Sequence, residues 1–306
     1  MKYLIIGSGG TGGSIGGFLA MKKENQVSFI SRGRNLEAIR KNGLILSSGI
    51  KGEIHLKDEI KVFSKEEYNE KADVIFICVK TYSIDEILYI VENACKKNTV
   101  IIPIMNGFNV GEKIADKIKK GIVLDGCMYI SAYVDSPGNI VQLGKLFKVV
   151  FGPRKNQEVD MELLKKIKND LNECNIDTKL SNSIWKDTFL KFSFISTYAA
   201  CGVYYDIDAG EMQEEGVYRS KFISLNKEIF NIGKTLGLMD VDCCEANLQT
   251  LDKLTKDTTA STQKDIKKGN KSEIDSLIFE VVRLGQSLNV NVDNYEEVSL
   301  LLKSNI

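Results

Sequence analysis

A run of glycines directly after the first apolar segment constrains the fold of this chain most. Residues 7–18 read GSGGTGGSIGGF, in which seven of the twelve residues are glycine, and they follow the strand-like segment KYLII. Gly7, Gly9 and Gly12 match GxGxxG between a strand and a helix, where they permit a tight turn, approach of the backbone to a pyrophosphate and close helix packing. Backbone N–H groups at the start of that helix can then bind phosphate. The expected cofactor-binding residues are Gly7, Ser8, Gly9, Gly10, Thr11 and Gly12.

The same glycines also suit an ordinary tight turn between a strand and a helix, which is the alternative interpretation. Nucleotide binding is favoured because the pattern starts at residue 7, directly after a strand, and opens a helix. Gly13, Gly16 and Gly17 continue in the predicted helix. They indicate that neighbouring segments pack closely against it.

The end of the second predicted strand indicates which dinucleotide the turn would bind. An NAD site places Asp or Glu about 20 residues beyond the glycines, where the carboxylate accepts hydrogen bonds from the ribose. Residues 29–34 read FISRGR here and contain no acid. Ser31 supplies a hydroxyl donor and Arg32 a planar cation, and both suit a 2′-phosphate. The sequence therefore predicts NADP or NADPH as the cofactor, bound partly by Ser31 and Arg32, whereas Arg34 is expected to be a solvated loop charge.

Short apolar segments alternate with helical patterns through the first half of the chain. The strand-like segments are KYLII, QVSFIS, DVIFICVK, TVIIPI and GIVLDG, and helical patterns cover 13–23, 84–95 and 110–119. Apolar strands separated by helices are typical of a parallel sheet covered on both faces. Residues 43–56 and 127–144 have the alternation and glycine turns of hairpins, which are expected to extend the sheet. The predicted fold is α/β, with an N-terminal Rossmann-type doubly wound sheet and added antiparallel strands.

From about residue 181 the apolar residues recur at three- and four-residue spacing. The segments with this pattern are 182–201, 216–237, 242–267, 272–288 and 293–303. This periodicity predicts an all-α C-terminal domain. A last strand is expected over Asp177–Leu180. The predicted domains are therefore 1–180, which binds NADP, and 181–306, a helical domain for the substrate and the catalytic residues.

Composition argues against several other functions. Lys plus Arg (41) equals Asp plus Glu (41), which argues against a nucleic-acid-binding protein. The seven cysteines include no CxxC pair, so reduced thiols in a cytoplasmic protein and no metal site are expected. The single histidine, His55, falls in the first hairpin and is expected at the surface, which leaves no histidine for a zinc site or a Ser–His triad. No apolar run reaches the ~18 residues of a membrane span.

Several separated motifs, in this order, resemble the ketopantoate reductase (2-dehydropantoate 2-reductase) family over nearly the whole chain. They are GSGGTG, SRG, VKTY at 79–82, MNG at 105–107, a helix with Trp then Lys that opens the second domain, and STQKDIKKGNKSEID at 261–275. The resemblance implies NADPH-dependent reduction of a small-molecule 2-keto acid in a cleft between the domains. It also implies a monomer or a homodimer.

Two polar residues follow predicted strands of the sheet. Lys80 ends DVIFICVK, and Asn106 follows the next strand in PIMNG. The carboxyl ends of strands line the ligand crevice in open α/β sheets, so Lys80 can face the cofactor or an anionic substrate. A lysine in solvent is the alternative. An Asn-Gly pair is ordinarily a turn, whereas the resemblance implies that Asn106 binds the nicotinamide ribose or the substrate.

Carbonyl reduction needs a proton donor beside the oxygen on which negative charge grows, and a lysine ammonium can stabilise that charge and donate the proton. An ungapped alignment back from residues 210–212 places Lys191 on the catalytic lysine of the family. That lysine usually lies two residues after the tryptophan, whereas Lys191 lies six after Trp185. Lys186 is therefore the rival candidate. For either residue, a lysine that merely extends to solvent is the alternative.

The segment 261–275 supplies two further candidates. Ser272 is expected to cap a helix whose first turn holds Glu273, where an anion is favourable without any further role. The resemblance implies that Glu273 contacts the catalytic lysine and the substrate. It also implies that Ser261, twelve residues before Glu273, binds the substrate carboxylate. A serine on the helix surface is the alternative for Ser261.

Two positions depart from the family pattern. Where the family has asparagines four and eight residues after its lysine, this chain has Ile195 and Ala199. A more apolar pocket follows, so a related, less polar 2-keto acid stays open beside ketopantoate, the substrate in pantothenate and coenzyme A biosynthesis. A non-catalytic NADPH-binding regulatory protein and a 3-hydroxyacid dehydrogenase are further alternatives. The first is disfavoured because a sensor needs no proton donor such as Lys191 beside Glu273.

Overall fold

In the computed structural model, which describes residues 1–239 and 242–304, the chain divides into two units. The first comprises Met1–Met105 and Asn109–Ile184, and the second comprises Asn106–Phe108 and the chain from Trp185 onward. The sequence placed the division at residue 180. Residues 240–241 and 305–306, which belong to the predicted helical domain 181–306, lie outside the described residues.

The strands all belong to the first unit. They are β1 (Lys2–Ile6), β2 (Gln26–Ile30), β3 (Leu44–Ser48), β4 (Gly52–Leu56), β5 (Ile60–Phe63), β6 (Val74–Ile77), β7 (Val100–Pro103), β8 (Ile122–Val123), β9 (Asp125–Ser136), β10 (Asn139–Gly152) and β11 (Asp177–Leu180). The helices of this unit are α1 (Gly10–Ala20), α2 (Gly33–Asn42), α3 (Leu88–Ala94), α4 (Val110–Ala115) and α5 (Met161–Glu173), with a 3-10 turn at Thr81–Ser83.

Six strands form a parallel sheet in the order β5-β2-β1-β6-β7-β8. The strand order reverses between β1 and β6, and ligands of open α/β sheets bind at such a switch point. Successive residues of β1 and β6 are buried on opposite faces, as expected for strands covered on both sides. The predicted Rossmann-type sheet is confirmed.

Both predicted hairpins form, but the expectation that they extend the parallel sheet is wrong. Strands β3 and β4 pair antiparallel, as do β9 and β10 around the predicted turn at 136–138. They build a separate sheet in the order β11-β10-β3-β4, with β9 on β10. Helix α1 separates the two sheets, since it lies between them and packs against both.

The glycines of α1 make this double packing possible. A Cβ at Gly16 would lie 2.2 Å from Phe29 Cζ of the parallel sheet. A Cβ at Gly13 would lie 2.7 Å from Ile140 Cγ1 of the second sheet. Because side chains would separate the layers, the prediction of close packing at Gly13 and Gly16 is confirmed.

A polar cluster fixes α5 to the amino-terminal end of the parallel sheet. The buried Tyr3 hydroxyl donates to Asp170 Oδ2 at 2.5 Å, and the Lys22 ammonium donates to the other carboxylate oxygen. Burial alone would raise the pKa of Asp170, but these two hydrogen bonds outweigh burial and hold the pKa below its usual range.

The second unit is helical, as predicted. Its helices are α6 (Ile184–Tyr205), α7 (Ala209–Gln213), α8 (Val217–Thr235), α9 (Cys244–Asp252), α10 (Ser261–Lys267), α11 (Glu280–Leu288) and α12 (Asp293–Ser304), with a π-helical turn at Asp275–Phe279. One apolar core contains residues of each of these helices except α10.

The single helical pattern over 242–267 is divided between α9 and α10. The connecting segment contains turns, and its carbonyl groups bond another helix: Thr258 O accepts from Ala209 N at 2.9 Å, and Lys256 O accepts from Gly210 N at 2.8 Å. The Tyr198 hydroxyl also donates to Thr258 O, at 2.6 Å. Helical periodicity alone does not reveal these long-range bonds.

Candidate functional site

The glycine-rich turn at the carboxyl end of β1 has the shape that the sequence requires. Gly7 has φ +104°, and a Cβ at Gly12 would lie only 1.8 Å from Gly7 O. A Cβ at Gly10 would lie 2.5 Å from Ala132 O. A Cβ at Gly9 would meet nothing within 4 Å. The turn is therefore closed on its inner side and open at Gly9.

This open side fits a pyrophosphate. Helix α1 starts at Gly10, and because Gly9 at its cap has no side chain, the first N–H groups of the helix receive no cap from that residue. Exposed N–H groups at a helix start attract anions through hydrogen bonding and the helix dipole. The backbone of Gly7–Gly12, including Thr11, has the geometry that a dinucleotide-binding turn needs.

A cluster of three polar side chains lies beside the turn. The buried hydroxyl groups of Ser8 and Ser31 are 2.5 Å apart, which brings the ends of β1 and β2 together. Asn35 Nδ2 donates to Ser8 Oγ at 2.6 Å and to Ser8 O at 2.8 Å. Sequence reasoning identified both serines and missed Asn35, although an amide three residues after Arg32 on the next helix was a signal.

Arg32 lies at the start of α2 and is largely exposed, with 79% of its side chain accessible. Its Nη1 lies 3.3 Å from Glu86 Oε2, and the Glu86 side chain is exposed as well. Exposed pairs of this kind stabilise proteins by about 1 kcal/mol at most. Glu86 is therefore an acidic residue close to the predicted 2′-phosphate site. It lies outside residues 29–34, which contain no acid.

Lys80 lies three residues beyond the buried end of β6, where it precedes the 3-10 turn Thr81–Ser83. It is half-buried. Because β6 adjoins β1, Lys80 follows the strand at the switch point of the sheet. Its position at the carboxyl edge agrees with the sequence-based expectation.

In the second unit, Lys191 and Asn106 are hydrogen-bonded. Lys191 is half-buried on α6, and its Nζ donates to Asn106 Oδ1 at 3.0 Å. Phe108, two residues after Asn106, packs on Phe189 and Phe192 of α6 with ring centroids 5.5 and 5.9 Å apart. These aromatic contacts attach the Asn106 segment to the helix that carries Lys191.

The rival lysine has a different place on the same helix. Lys186 is also half-buried, but it precedes Lys191 by five residues. At about 100° per residue, five positions turn a side chain about 140° around the helix. Ile195 follows Lys191 by one turn and Ala199 by two, so these residues share the Lys191 side of α6.

Glu273 is almost fully buried, with 2% of its surface exposed. The expectation that Ser272 caps a helix with Glu273 in its first turn is wrong. Glu273 precedes the π-helical turn, and its carbonyl oxygen accepts from Leu277 N at 3.0 Å. π-Helical turns within helices frequently occur at functional sites.

Ser196 joins this turn to α6. Its hydroxyl donates to Leu277 O at 2.5 Å and lies 2.9 Å from the Tyr295 hydroxyl. All three groups are buried. Ser261 is the first residue of α10 and is exposed. Its binding of the substrate carboxylate stays a prediction.

The remaining expectations from the sequence concern His55, metal ions and membrane spans within the described parts of the chain. His55 is exposed and pairs with Glu53 at 2.8 Å, which confirms its surface position. No group of three or more His, Cys, Asp or Glu side chains there could hold a metal ion. Over residues 1–239 and 242–304, no helix combines the length and apolar character needed to cross a bilayer.

Comparison with known families decides the affiliation. The family model described as "Ketopantoate reductase PanE/ApbA" matches residues 3–156, and its C-terminal counterpart matches residues 183–305. The chain belongs to the ketopantoate reductase family. It is therefore an oxidoreductase of that family, as the motifs from GSGGTG to STQKDIKKGNKSEID indicated.

Relatives of this ketopantoate reductase family member match over most of their length. The 2-dehydropantoate 2-reductase of Pyrococcus horikoshii is 27% identical over 296 residues, which cover 95% of this chain and 92% of that protein. The uncharacterised oxidoreductase YkpB of Bacillus subtilis is 27% identical over 278 residues, with 90% and 89% coverage.

Solved structures share the fold. A PanE/ApbA family ketopantoate reductase from Ralstonia eutropha has a TM-score of 0.88 at 20% identity and covers 99% of this chain and 97% of its own. D-Mandelate dehydrogenase, in a ternary structure with NADH and anilino(oxo)acetate, has a TM-score of 0.87 at 18% identity with 99% and 98% coverage. The fold thus occurs in proteins whose named substrates differ.

Proposed function

We propose that this protein reduces a 2-keto acid with NADPH and that Lys191 donates the proton. The observation that carries the proposal is the 3.0 Å hydrogen bond between Lys191 Nζ and Asn106 Oδ1. It holds a lysine of the second unit beside the one residue of the 105–107 motif that has a polar side chain able to bind substrate. The favoured reaction is conversion of 2-dehydropantoate to pantoate, the reaction that the name of the Pyrococcus relative describes.

The chain's own residues have separate tasks in this proposal. The reduced nicotinamide supplies the hydride when it is bound. The Lys191 ammonium stabilises the negative charge on the carbonyl oxygen and then transfers a proton to that oxygen. Asn106 Oδ1 accepts one ammonium hydrogen and so limits the positions that the long lysine side chain can take. Its Nδ2 group can donate a hydrogen bond to substrate or ribose.

Three other residues complete the proposed site. Glu273 binds a polar group of the substrate and counters the charge of Lys191. Its burial supports a role beyond a surface charge, because a carboxylate with 2% exposure requires polar partners. Ser261 binds the substrate carboxylate through its hydroxyl. Lys80 attracts the same carboxylate or the coenzyme by charge.

The coenzyme-binding part of the proposal involves Gly7–Gly12, Ser31 and Arg32. The open side of the turn at Gly9 supports pyrophosphate binding. A hydroxyl at Ser31 and a guanidinium at Arg32 favour a 2′-phosphate, since both donate hydrogen bonds to phosphate oxygens. NADPH is accordingly the proposed coenzyme.

A second candidate substrate is a 2-keto acid with a less polar tail. Ile195 and Ala199 present aliphatic groups on the Lys191 side of α6, where amides would bind polar substrate groups. The name of the D-mandelate dehydrogenase neighbour describes a protein for a 2-hydroxy acid with an aromatic tail. Branched and aromatic 2-keto acids therefore belong in the same test.

A panel of substrates tests the proposed function. Purified protein is mixed with NADPH or NADH and with ketopantoate, 2-ketoisovalerate or phenylglyoxylate, and loss of the reduced-nicotinamide absorbance is followed. Turnover of ketopantoate with NADPH is the expected result. Turnover of phenylglyoxylate instead would favour the second candidate. Binding of NADPH without turnover of any keto acid would refute the proposal and favour a regulatory NADPH-binding protein. Oxidation of a 3-hydroxy acid in the reverse assay would indicate a 3-hydroxyacid dehydrogenase.

The oligomeric state, monomer or homodimer, stays a prediction that sedimentation equilibrium can test.

A further inference from the structure

The side chain of Asn35 connects three segments that are distant in sequence. Its Nδ2 donates to Ser8 O at 2.8 Å and to Ser8 Oγ at 2.6 Å, in the turn between β1 and α1. Its Oδ1 accepts from Gly138 N at 2.7 Å, in the turn between β9 and β10. Asn35 itself lies on α2, after the strand that ends at Ile30.

These partners fix the orientation of the amide. The backbone N–H of Gly138 can only donate, so it must face the amide oxygen of Asn35. The carbonyl oxygen of Ser8 can only accept, so it must face the amide nitrogen. In a flipped amide, Asn35 Oδ1 would face Ser8 O, which is also an acceptor, and Asn35 Nδ2 would face Gly138 N, which is also a donor. Asn35 therefore presents an N–H group to Ser8 Oγ.

The fixed amide occupies one acceptor site of Ser8 Oγ and so favours one direction for the hydrogen bond between the two buried hydroxyls. Ser8 Oγ accepts from Asn35, and it lies 2.5 Å from Ser31 Oγ. Donation from Ser8 to Ser31 is the arrangement that gives the Ser8 proton an acceptor inside the cluster. Ser31 Oγ then accepts, and its own proton points away from Ser8. With Ser8 as the donor to Ser31, the hydrogen bonds run in one direction, from Asn35 through Ser8 to Ser31, and successive hydrogen bonds in such a chain strengthen one another.

We propose that Asn35 is a positioning residue that sets coenzyme selectivity. It orients the Ser31 hydroxyl as a donor next to the Arg32 guanidinium, and this pair favours a 2′-phosphate over a 2′-hydroxyl that needs an acceptor. The inference rests on the proposed use of NADPH. It adds that selectivity depends on a residue whose side chain bonds Ser8 and Gly138.

Binding measurements without turnover test the inference. Dissociation constants for NADPH and NADH are measured from coenzyme fluorescence for the wild type, Asn35→Ala and Ser31→Ala. Asn42→Ala, at the exposed end of the same helix, is the matched control. Loss of a hydrogen bond to a charged group weakens binding about tenfold or more. Asn35→Ala should therefore weaken NADPH binding by about tenfold or more and NADH binding by less than about twofold. The preference for NADPH over NADH then falls about tenfold.

The double variant with Asn35→Ala and Ser31→Ala shows whether Asn35 acts by positioning Ser31 or only stabilises the turn. If Asn35 acts through Ser31, then adding Asn35→Ala to Ser31→Ala causes little further loss of NADPH affinity. Equal losses of NADPH and NADH in Asn35→Ala would show that the amide only braces the turn and would overturn the inference. Additive losses in the double variant would overturn it too. A wild type that prefers NADH would instead refute the proposed coenzyme, so the two failures are distinguishable.

Discussion

Two glycines of the same turn should respond in opposite ways to a single added methyl group. Gly9 has φ −75° and ψ −171°, an extended backbone that alanine adopts readily, and its Cβ would meet nothing within 4 Å. Gly9→Ala should therefore leave the free energy of unfolding unchanged or raise it by about 0.4–1 kcal/mol, since the unfolded chain loses freedom. The added methyl projects into the open side of the turn, where the pyrophosphate is proposed to approach the backbone.

Gly12→Ala should destabilise the fold itself. Its Cβ would lie 1.8 Å from Gly7 O, a backbone atom that cannot withdraw easily because Gly7 is held at φ +104° in the turn. Overpacking typically costs about 1–3 kcal/mol, and a clash with backbone belongs at or above the upper end, about 3 kcal/mol. Urea unfolding measures the stability of both variants.

Coenzyme fluorescence completes the comparison. We expect Gly9→Ala to be fully folded and to bind NADPH at least about tenfold more weakly, which corresponds to about 1.4 kcal/mol. Unchanged NADPH affinity in a folded Gly9→Ala protein would refute the assignment of the phosphate site. Wild-type stability in Gly12→Ala would refute the packing argument independently.

Two further perturbations test electrostatic features of the first unit. Glu86→Gln removes a carboxylate that lies 3.3 Å from Arg32 Nη1; NADPH affinity should rise about two- to fivefold at low ionic strength, with little change at high salt, because an exposed charge contributes below about 1 kcal/mol. Asp170 has a lowered pKa in the folded state because its hydrogen bonds from Lys22 and Tyr3 outweigh its burial; its contribution is therefore present above the unfolded pKa of about 3.9 and is lost as pH falls through the lower, folded value. Asp170→Asn should lose about 1–3 kcal/mol at pH 7 and show a flatter decline of stability below about pH 4 in urea unfolding, and an unchanged acid limb would contradict this cause.

The sequence predicted those features that depend on neighbouring residues. The turn at Gly7–Gly12 and the hairpin turn at 136–138 follow from the conformations that glycine and proline favour, and both form where they were expected. The helical second unit follows from apolar periodicity. The place of Ser31 beside the turn follows from parallel strands ending at the same edge, and its hydroxyl is 2.5 Å from Ser8.

The features that sequence reasoning missed depend on contacts between distant segments. Asn35 bonds a backbone amide 103 residues later in the chain. The hairpins form a separate sheet because α1 lies between the layers, and no local pattern indicates which face of a glycine-rich helix will be covered. The π-helical turn after Glu273 is bonded by Ser196, which donates to Leu277 O from another helix.

The rate of a single turnover in lysine variants tests the central claim most directly. Lys191→Ala and Lys186→Ala are each saturated with NADPH and mixed rapidly with the keto acid that the wild type uses, and nicotinamide oxidation is followed. A positioned general acid accelerates the chemical step about 10²–10⁴-fold. Lys191→Ala should therefore slow that step by at least about 10²-fold, while NADPH affinity stays near wild type. Lys186→Ala should remain within about threefold of the wild-type rate, since losing a general acid would cost far more. A normal rate in Lys191→Ala, or the large loss in Lys186→Ala instead, would contradict the account.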